Sequence, residues 1–390
     1  MSAELAIAVI NPYTLVKSRT GGVISRLLSR GNYDLVGARM FAPGDEFAKE
    51  LCILEEQEKT DNPEVSKLIV QYISENYAPN KATGAKRRLM ALLFKGESAV
   101  QKLREEVVGH ITRESVAGET IRDTYGDYIV AHDGKVTYFE PAVLVAPSKG
   151  SAEKTLKLWA KYSDSDGGLL KDVVRYEKGD KPEMTLVLIK PDNFKGPSSR
   201  AGYIVDLLSR SGLFIIAAKV IRMSVAQAEE FYGPVKEVFI TKLKDSFSKK
   251  VCEAIDREFA FKVPEKIKKD ICDQLNLLNA EHEFNKIITF MTGLDPTTVT
   301  DPEEKKKPGN EKCLALVYQG KGAVAKIRTI LGTTDPSKAA PATVRKEFGQ
   351  NIMVNTAHAS DSPENAQREM RIIGIEENDF KKTIEDCCRS

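Results

Sequence analysis

Thr185-Leu186-Val187-Leu188-Ile189-Lys190-Pro191 is a short apolar, β-rich run stopped by a proline, and Ala6-Ile7-Ala8-Val9-Ile10-Asn11-Pro12 repeats the device. Such a run, ended by a residue that cannot donate to a ladder, reads as a strand entering a turn. A basic, glycine-containing stretch follows each. Apolar residues at helical spacing come next: Val23, Ile24, Leu27 and Leu28 in one, Ile204, Val205, Leu207 and Leu208 in the other. Ser29-Arg30-Gly31 and Ser209-Arg210-Ser211-Gly212 close both helices with a C-terminal glycine. A further strand follows each time, over Asp34 to Phe41 and Leu213 to Met223. The likeness resumes at Leu89 to Gly96 against Cys313 to Gly320, and at Ala99 to Gly109 against Ala323 to Gly332. Thr120-Ile121-Arg122 echoes Thr343-Val344-Arg345, and helices open at Ser151-Ala152-Glu153 and Glu364-Asn365-Ala366. The chain therefore reads as two copies of a strand–helix–strand–helix–strand–helix unit. That order predicts an α+β fold, with a ferredoxin-like, split βαβ sheet and helices on one face in each copy.

The first copy spans 1–165 and the second 184–375, with a charged, turn-forming linker at 166–183 and a tail at 376–390. Residues 241–283 have no counterpart in the first copy. Leu243, Phe247, Val251, Ile255 and Phe259 fall four apart, and Ile267, Ile271, Leu275 and Leu278 follow Pro264, so a helical hairpin insertion is predicted. Its apolar face serves either as a cap over core or as a partner surface. Residues 294–312 read as a polar loop, mobile or contact-making. Cys387-Cys388-Arg389-Ser390 has the outline of a prenylation box, but Arg fits an aliphatic slot poorly, and a frayed polar end is expected.

Composition limits the function classes. The 390 residues are 42% apolar and 29% charged, ordinary for a soluble globular protein with more than one core. Basic residues number 58 against 56 acidic, leaving +2, so electrostatic capture of nucleic acid is not indicated. No run of 18 apolar residues occurs, and Met1-Ser2-Ala3-Glu4-Leu5 lacks the features of a signal peptide. No membrane association and a cytoplasmic location are expected. The six cysteines form no C-x-x-C pair and histidines number four, which argues against zinc and for reduced thiols.

One set of polar residues in the second copy suggests chemistry. Lys190 ends the first strand, Arg328 lies within a helix, Thr334 follows the Gly332 stop, and Arg345 sits in the next short helix. Asn355-Thr356-Ala357-His358 comes next, then Ser360, Asp361 and Ser362, then a helix carrying Glu369. Two Arg and one Lys converging on a cleft match a polyanion such as a triphosphate. A histidine beside them is a candidate nucleophile or base. Each piece alone has a plainer reading: a structural His, a solvated Arg, a Lys-Pro-Asp turn. No P-loop occurs.

Taken together, these residues resemble the nucleoside diphosphate kinase family. The resemblance rests on Leu186-Val187-Leu188-Ile189-Lys190-Pro191-Asp192, on Asn355-Thr356-Ala357-His358-Ala359-Ser360-Asp361-Ser362, and on the ungapped spacing from Arg328 to His358. It covers nearly all of 184–375 apart from the insertions, and more faintly 4–165. It implies two kinase-type domains in tandem and a ping-pong transfer of the γ-phosphate of a nucleoside triphosphate to a nucleoside diphosphate through His358 Nδ1. Glu369 would orient the imidazole, through the backbone or the other ring face. Tyr232, on a helix opened by the capping box Ser224-Val225-Ala226-Gln227, would stand near it. Lys190, Arg328, Thr334 and Arg345 would hold the phosphates, Lys190 and Asn355 would reach the ribose hydroxyls, and Ile352 would cover the base. Mg²⁺ would ride on the phosphates without a protein cage. Ala359 and Pro341-Ala342 depart from the family's usual glycines. The first copy, with Asn11 for the strand-end Lys and Pro141 to Pro147 where the histidine belongs, is expected to be inactive, though Arg104 and Arg122 remain. Tandem copies with an Asn-x-Ala-His motif resemble the axonemal branch of the family. The alternative is therefore a microtubule-associated scaffold in a cilium or flagellum, with tubulin or other axonemal proteins as partners.

Overall fold

The computed structural model describes residues 3–58, 63–111, 118–242 and 244–389, the side chain of Lys242 excepted. The chain forms two compact units, Met1–Ile221 with Leu314–Ser390, and Arg222–Cys313. The first holds both principal sheets and the second is mainly helical.

In the sheet unit, strands β1 (Glu4–Ile10), β2 (Asp34–Phe41), β3 (Leu89–Gly96) and β6 (Val143–Val145) pair in the order β2-β3-β1-β6. A hairpin of β4 (Asp127–Val130) and β5 (Val136–Glu140) precedes β6. Strands β7 (Glu183–Ile189), β8 (Phe214–Ile221), β9 (Cys313–Gly320) and β10 (Ala357–Ala359) form the second sheet in the order β10-β7-β9-β8. Counted within each copy, both orders are fourth–first–third–second, the ferredoxin-like arrangement read from the sequence. The registers repeat as well: β1 meets β3 from Glu4↔Gly96 to Ile10↔Met90, and β7 meets β9 from Glu183↔Gly320 to Ile189↔Leu314. β1 beyond Glu4 and all of β9 are buried, so both faces are covered and the runs read as continuous apolar stretches rather than alternating ones.

The two sheets meet within this unit. The helix Thr20–Arg30 packs on its counterpart Arg200–Ser209, and β2 lies beside β8. The helices approach backbone to backbone. A Cβ on Gly21 would lie 2.4 Å from Asp206 N, and one on Gly202 would lie 2.2 Å from Ser25 N. Only glycine fits at such a crossing. The segment after residue 165 threads between the copies and bonds to both: Gly168 N donates to Met40 O and Leu170 N to Ile216 O, each at 2.9 Å.

The expectation of a frayed C-terminus is corrected. Asp379–Arg389 is a helix whose Phe380 and Ile384 are buried among Phe41, Phe47 and Trp159 of the first core. The Phe41 and Phe380 rings lie 5.5 Å apart, edge to face. Phe380, Ile384, Cys387 and Cys388 make an apolar stripe on an otherwise charged helix, so burial of one side holds it.

In the helical unit, helices span Val225–Lys242, Lys244–Glu258 and Glu265–Thr292. The first is opened by the expected reciprocal cap, Gln227 N to Ser224 Oγ and Ser224 N to Gln227 Oε1, both 3.1 Å. The apolar faces differ from expectation. Leu243 lies outside the described residues, and Lys244–Glu258 has no fully buried residue. The long helix buries Lys268, Cys272, Asn276, Ala280 and Phe284, while Ile267, Ile271, Leu275 and Leu278 are exposed. Stripes one residue apart have the same period, so spacing cannot choose between them. Ion pairs Lys268–Asp256 at 2.5 Å and Lys244–Asp273 at 2.7 Å accompany the observed face. The polar loop 294–312 makes contacts: Asn310 N donates to Thr292 O at 2.7 Å, and Lys305 pairs with Glu229 at 2.7 Å. Among the described residues no helix is long and apolar enough to cross a membrane.

Candidate active site

The short strand β10 places the histidine. His358 pairs with Leu188 of β7, and directly opposed residues of an antiparallel pair project from the same face. Lys190, two residues on in extended backbone (φ −79°, ψ 166°), shares that face, about 7 Å along the strand direction. The connection is tight: Lys190 N donates to Thr356 O at 2.8 Å, and Thr356 takes a left-handed φ of 70°. A non-glycine residue there stores strain that surrounding bonds must hold. Asn193 Nδ2 supplies two of them, to Thr356 O at 2.8 Å and Lys190 O at 3.1 Å.

The imidazole is fixed by a carboxylate. His358 Nε2 lies 2.9 Å from Glu369 Oε2, and Ser360 Oγ donates to the same oxygen at 2.6 Å. Glu369 therefore acts directly on the ring nitrogen, not through the backbone. A carboxylate only accepts, so the proton is assigned to Nε2 and the lone pair to Nδ1. Glu369 and Ser360 are buried, while the His358 side chain keeps 23% of its surface exposed. Glu369 reaches the ring because Ser362 caps the helix Pro363–Ile372, accepting from Asn365 N at 3.0 Å.

The cationic residues fall into two settings. Lys190 Nζ is held by Asn355 Oδ1 at 2.7 Å and Met353 O at 3.3 Å, and Asn355 Nδ2 ties to Thr334 O at 3.2 Å and Ile352 O at 2.7 Å. Lys190, Asn355, Thr334 and Ile352 are thus joined in one network. Arg345 spans the gap between two segments, donating to Gly332 O at 2.9 Å and to Ala357 O, next to His358, at 3.0 Å. Arg328 is exposed on the helix Ala323–Leu331, which packs against β7 and β10. Thr334 and Ile352 are also exposed. Tyr232, buried against Phe231, belongs to the helical unit. Asp192, of the strand-end motif, is half-buried with its side chain 3.5 Å from Arg200; desolvation pushes its carboxyl up, against the pull of Arg200 and Lys190. Asn193 carries no distinctive sequence signal, because Pro-Asp-Asn after a strand looks like any turn.

The first copy repeats the frame without these groups. Arg122 donates to Gly109 O at 2.6 Å and Val143 O at 3.1 Å, as Arg345 does to Gly332 and Ala357. Burial, with Arg104 nearby, lowers its pKa to about 10. Leu144 pairs with Val9 at the register where His358 pairs with Leu188. Ser148 caps the following helix as Ser362 does, and seven residues on stands Thr155 where the other copy has Glu369. Asn11 accepts from Tyr77 OH at 2.7 Å and donates to Glu140 at 3.4 Å, while Tyr72 OH donates to Glu140 at 2.7 Å. Burial raises the Glu140 carboxyl, against bonds from Tyr72, Ala142 and Asn11. The place of the lysine network is thus filled by an uncharged amide, two tyrosines and a buried acid.

The second copy is similar in sequence to known proteins. The model of the family described as nucleoside diphosphate kinase matches residues 183–257 and 306–378. A nucleoside diphosphate kinase of Bdellovibrio bacteriovorus is 32% identical over 191 residues, 49% of this chain and 92% of the relative. One from Campylobacter hominis is 31% identical over 188 residues, 48% of this chain and 92% of its own length. A crystal structure of the Aquifex aeolicus nucleoside diphosphate kinase aligns at 26% identity over 50% of this chain and 99% of that one, with a TM-score of 0.31, too low to argue from.

Proposed function

The chain belongs to the nucleoside diphosphate kinase family, and from that premise we propose that its second copy moves the γ-phosphate between nucleotides through His358. The observation that carries this is the Nε2 contact with Glu369. It leaves the lone pair on Nδ1, which serves as the nucleophile. Nδ1 attacks the γ-phosphorus, the bond to the β–γ bridging oxygen breaks, and the nucleoside diphosphate leaves. As the ring gains positive charge, the Glu369 carboxylate stabilises it. A second nucleoside diphosphate then takes the phosphoryl group by the reverse path, restoring the imidazole.

Lys190, Arg328 and Arg345 neutralise the phosphates, with Thr334 beside them, since charge stabilisation supplies most of the catalysis in phosphoryl transfer. Asn355 holds Lys190 and meets the sugar, and Ile352 offers an exposed apolar face to the base. Among the described residues no group of three or more His, Cys, Asp or Glu is placed to hold a metal. The donor set is cationic and suits phosphate oxygens, so Mg²⁺ would be carried by the nucleotide, where it supplies charge neutralisation. Residues 1–165 and 184–375 form the tandem domains, with 241–283 as an insertion in the second. The first domain is inactive, because Asn11, Leu144 and Thr155 stand at the places of Lys190, His358 and Glu369.

The test uses γ-labelled ATP. The chain is expected to take up an acid-labile, base-stable label, and His358→Gln is expected to lose it. A His358→Gln protein that labels fully would overturn the assignment. Co-sedimentation with polymerised tubulin tests the microtubule alternative separately.

A further inference from the structure

Two of the cysteines face each other in the helical unit. Cys252, on the helix Lys244–Glu258, and Cys272, on Glu265–Thr292, bring their sulfurs to 3.6 Å. Cys272 Sγ also lies 3.6 Å from Ser248 O, one turn before Cys252. The approach is set by the packing of the hairpin. One turn away on both helices, Lys268 Nζ reaches Asp256 at 2.5 Å, with Glu265 at 3.4 Å, and Lys268 is itself buried. Lys244 pairs with Asp273, next to Cys272, at 2.7 Å. These ion pairs hold the helices in a register that opposes the two thiols. Neither cysteine is in a disulfide.

We propose that Cys252 and Cys272 are a redox-active dithiol that peroxides convert to a disulfide, clamping the helical hairpin. The roles differ by exposure. Cys252 is partly exposed and Cys272 buried. The Cys252 thiolate attacks one oxygen of hydrogen peroxide, the O–O bond breaks, and hydroxide leaves to be protonated to water. The Cys272 sulfur then attacks the resulting sulfenic sulfur, the S–O bond breaks, and a second water leaves as the S–S bond forms. Overall two thiols lose two electrons and two protons to one peroxide, which becomes two waters. Burial and the neighbouring Cys252 thiol raise the Cys272 pKa, consistent with its part as the resolving rather than the attacking sulfur. The clamp acts where the hairpin needs one. Lys244–Glu258 contributes no buried residue, so little apolar contact holds it, and such segments open first. Linking the two positions also restricts the open state.

The test uses the full chain, treated with hydrogen peroxide, alkylated and mapped by mass spectrometry. A linked Cys252–Cys272 peptide is expected, two hydrogens lighter than the separate thiols and reversed by dithiothreitol. Cys252→Ser and Cys272→Ser should each abolish it. Trypsin supplies a second measurement. Lys249 and Lys250 are exposed on the less anchored helix, and oxidation is expected to slow cleavage there by about tenfold, tracking the smaller open population. In Cys252→Ser the cleavage rate should not respond to peroxide. Recovery of both cysteines unlinked after peroxide, their pairing with other thiols, or equal slowing in the serine variants would overturn the proposal. Because neither readout involves phosphate transfer, failure here is distinct from failure of the kinase assignment.

Discussion

At the scale of single residues, Glu369 decides what His358 can do. Its Oε2 takes Nε2 and Ser360 Oγ together, so the ring is oriented before any nucleotide arrives. Glu369→Ala is expected to slow phosphohistidine formation by about 10²-fold, the scale of a lost proton-positioning group. The nucleotide KM should hold, since Glu369 acts on the ring nitrogen of His358. Glu369→Gln should recover part of the rate, because its amide oxygen still accepts from Nε2–H. Rapid-quench labelling separates the two variants; equal rates in both would remove Glu369 from the mechanism. The pair was legible through the family resemblance, since Glu369 falls where the family has the glutamate that orients its histidine. Asn193 was not. Its bonds to Thr356 O and Lys190 O exist only once β10 lies against β7.

At the scale of elements, the helix Asp45–Gln57 carries a pH-dependent cost. Burial, and then Glu58, push the Glu55 carboxyl from an ordinary 4.5 up to about 7, with Arg122 opposing. A carboxyl raised on folding adds stability that is fully present below its unfolded value and is lost as pH rises through the folded one. The window therefore runs from 4.5 to about 7. Glu55→Gln, neutral throughout, is expected to stabilise the chain by about 1–3 kcal/mol near pH 8 and to change little near pH 4. Urea melts at both pH values measure this, and equal shifts would contradict it. The strands were legible at this scale, since long apolar runs ended by Pro or Gly have few other readings. The face of the helix Glu265–Thr292 was not, because its exposed and buried stripes share one period.

At the scale of the whole molecule, the sheet unit depends on two copies meeting through paired glycines. Gly202→Val would drive a side chain into Ser25 N, now 2.2 Å from where a Cβ would sit. A loss of about 1–3 kcal/mol is expected from such overpacking. A thermal melt reads it, and an unchanged midpoint would show that this crossing yields freely. The linker bonds to Met40 and Ile216, and the C-terminal helix buries Phe380 in the first core, so the ends of the second copy are built into the first. That arrangement gives the first copy a structural role.

The repeated strand order and the polar set around His358 were determined by the sequence itself. Period, stop residues and motif spacing are local properties that survive without neighbours. Tertiary structure alone decided which stripe of the long helix faces inward, that the C-terminal segment docks on the first core, and that Cys252 meets Cys272. Each of these depends on surfaces distant in the chain, and a local pattern of apolar residues says that a face must be covered without saying by what.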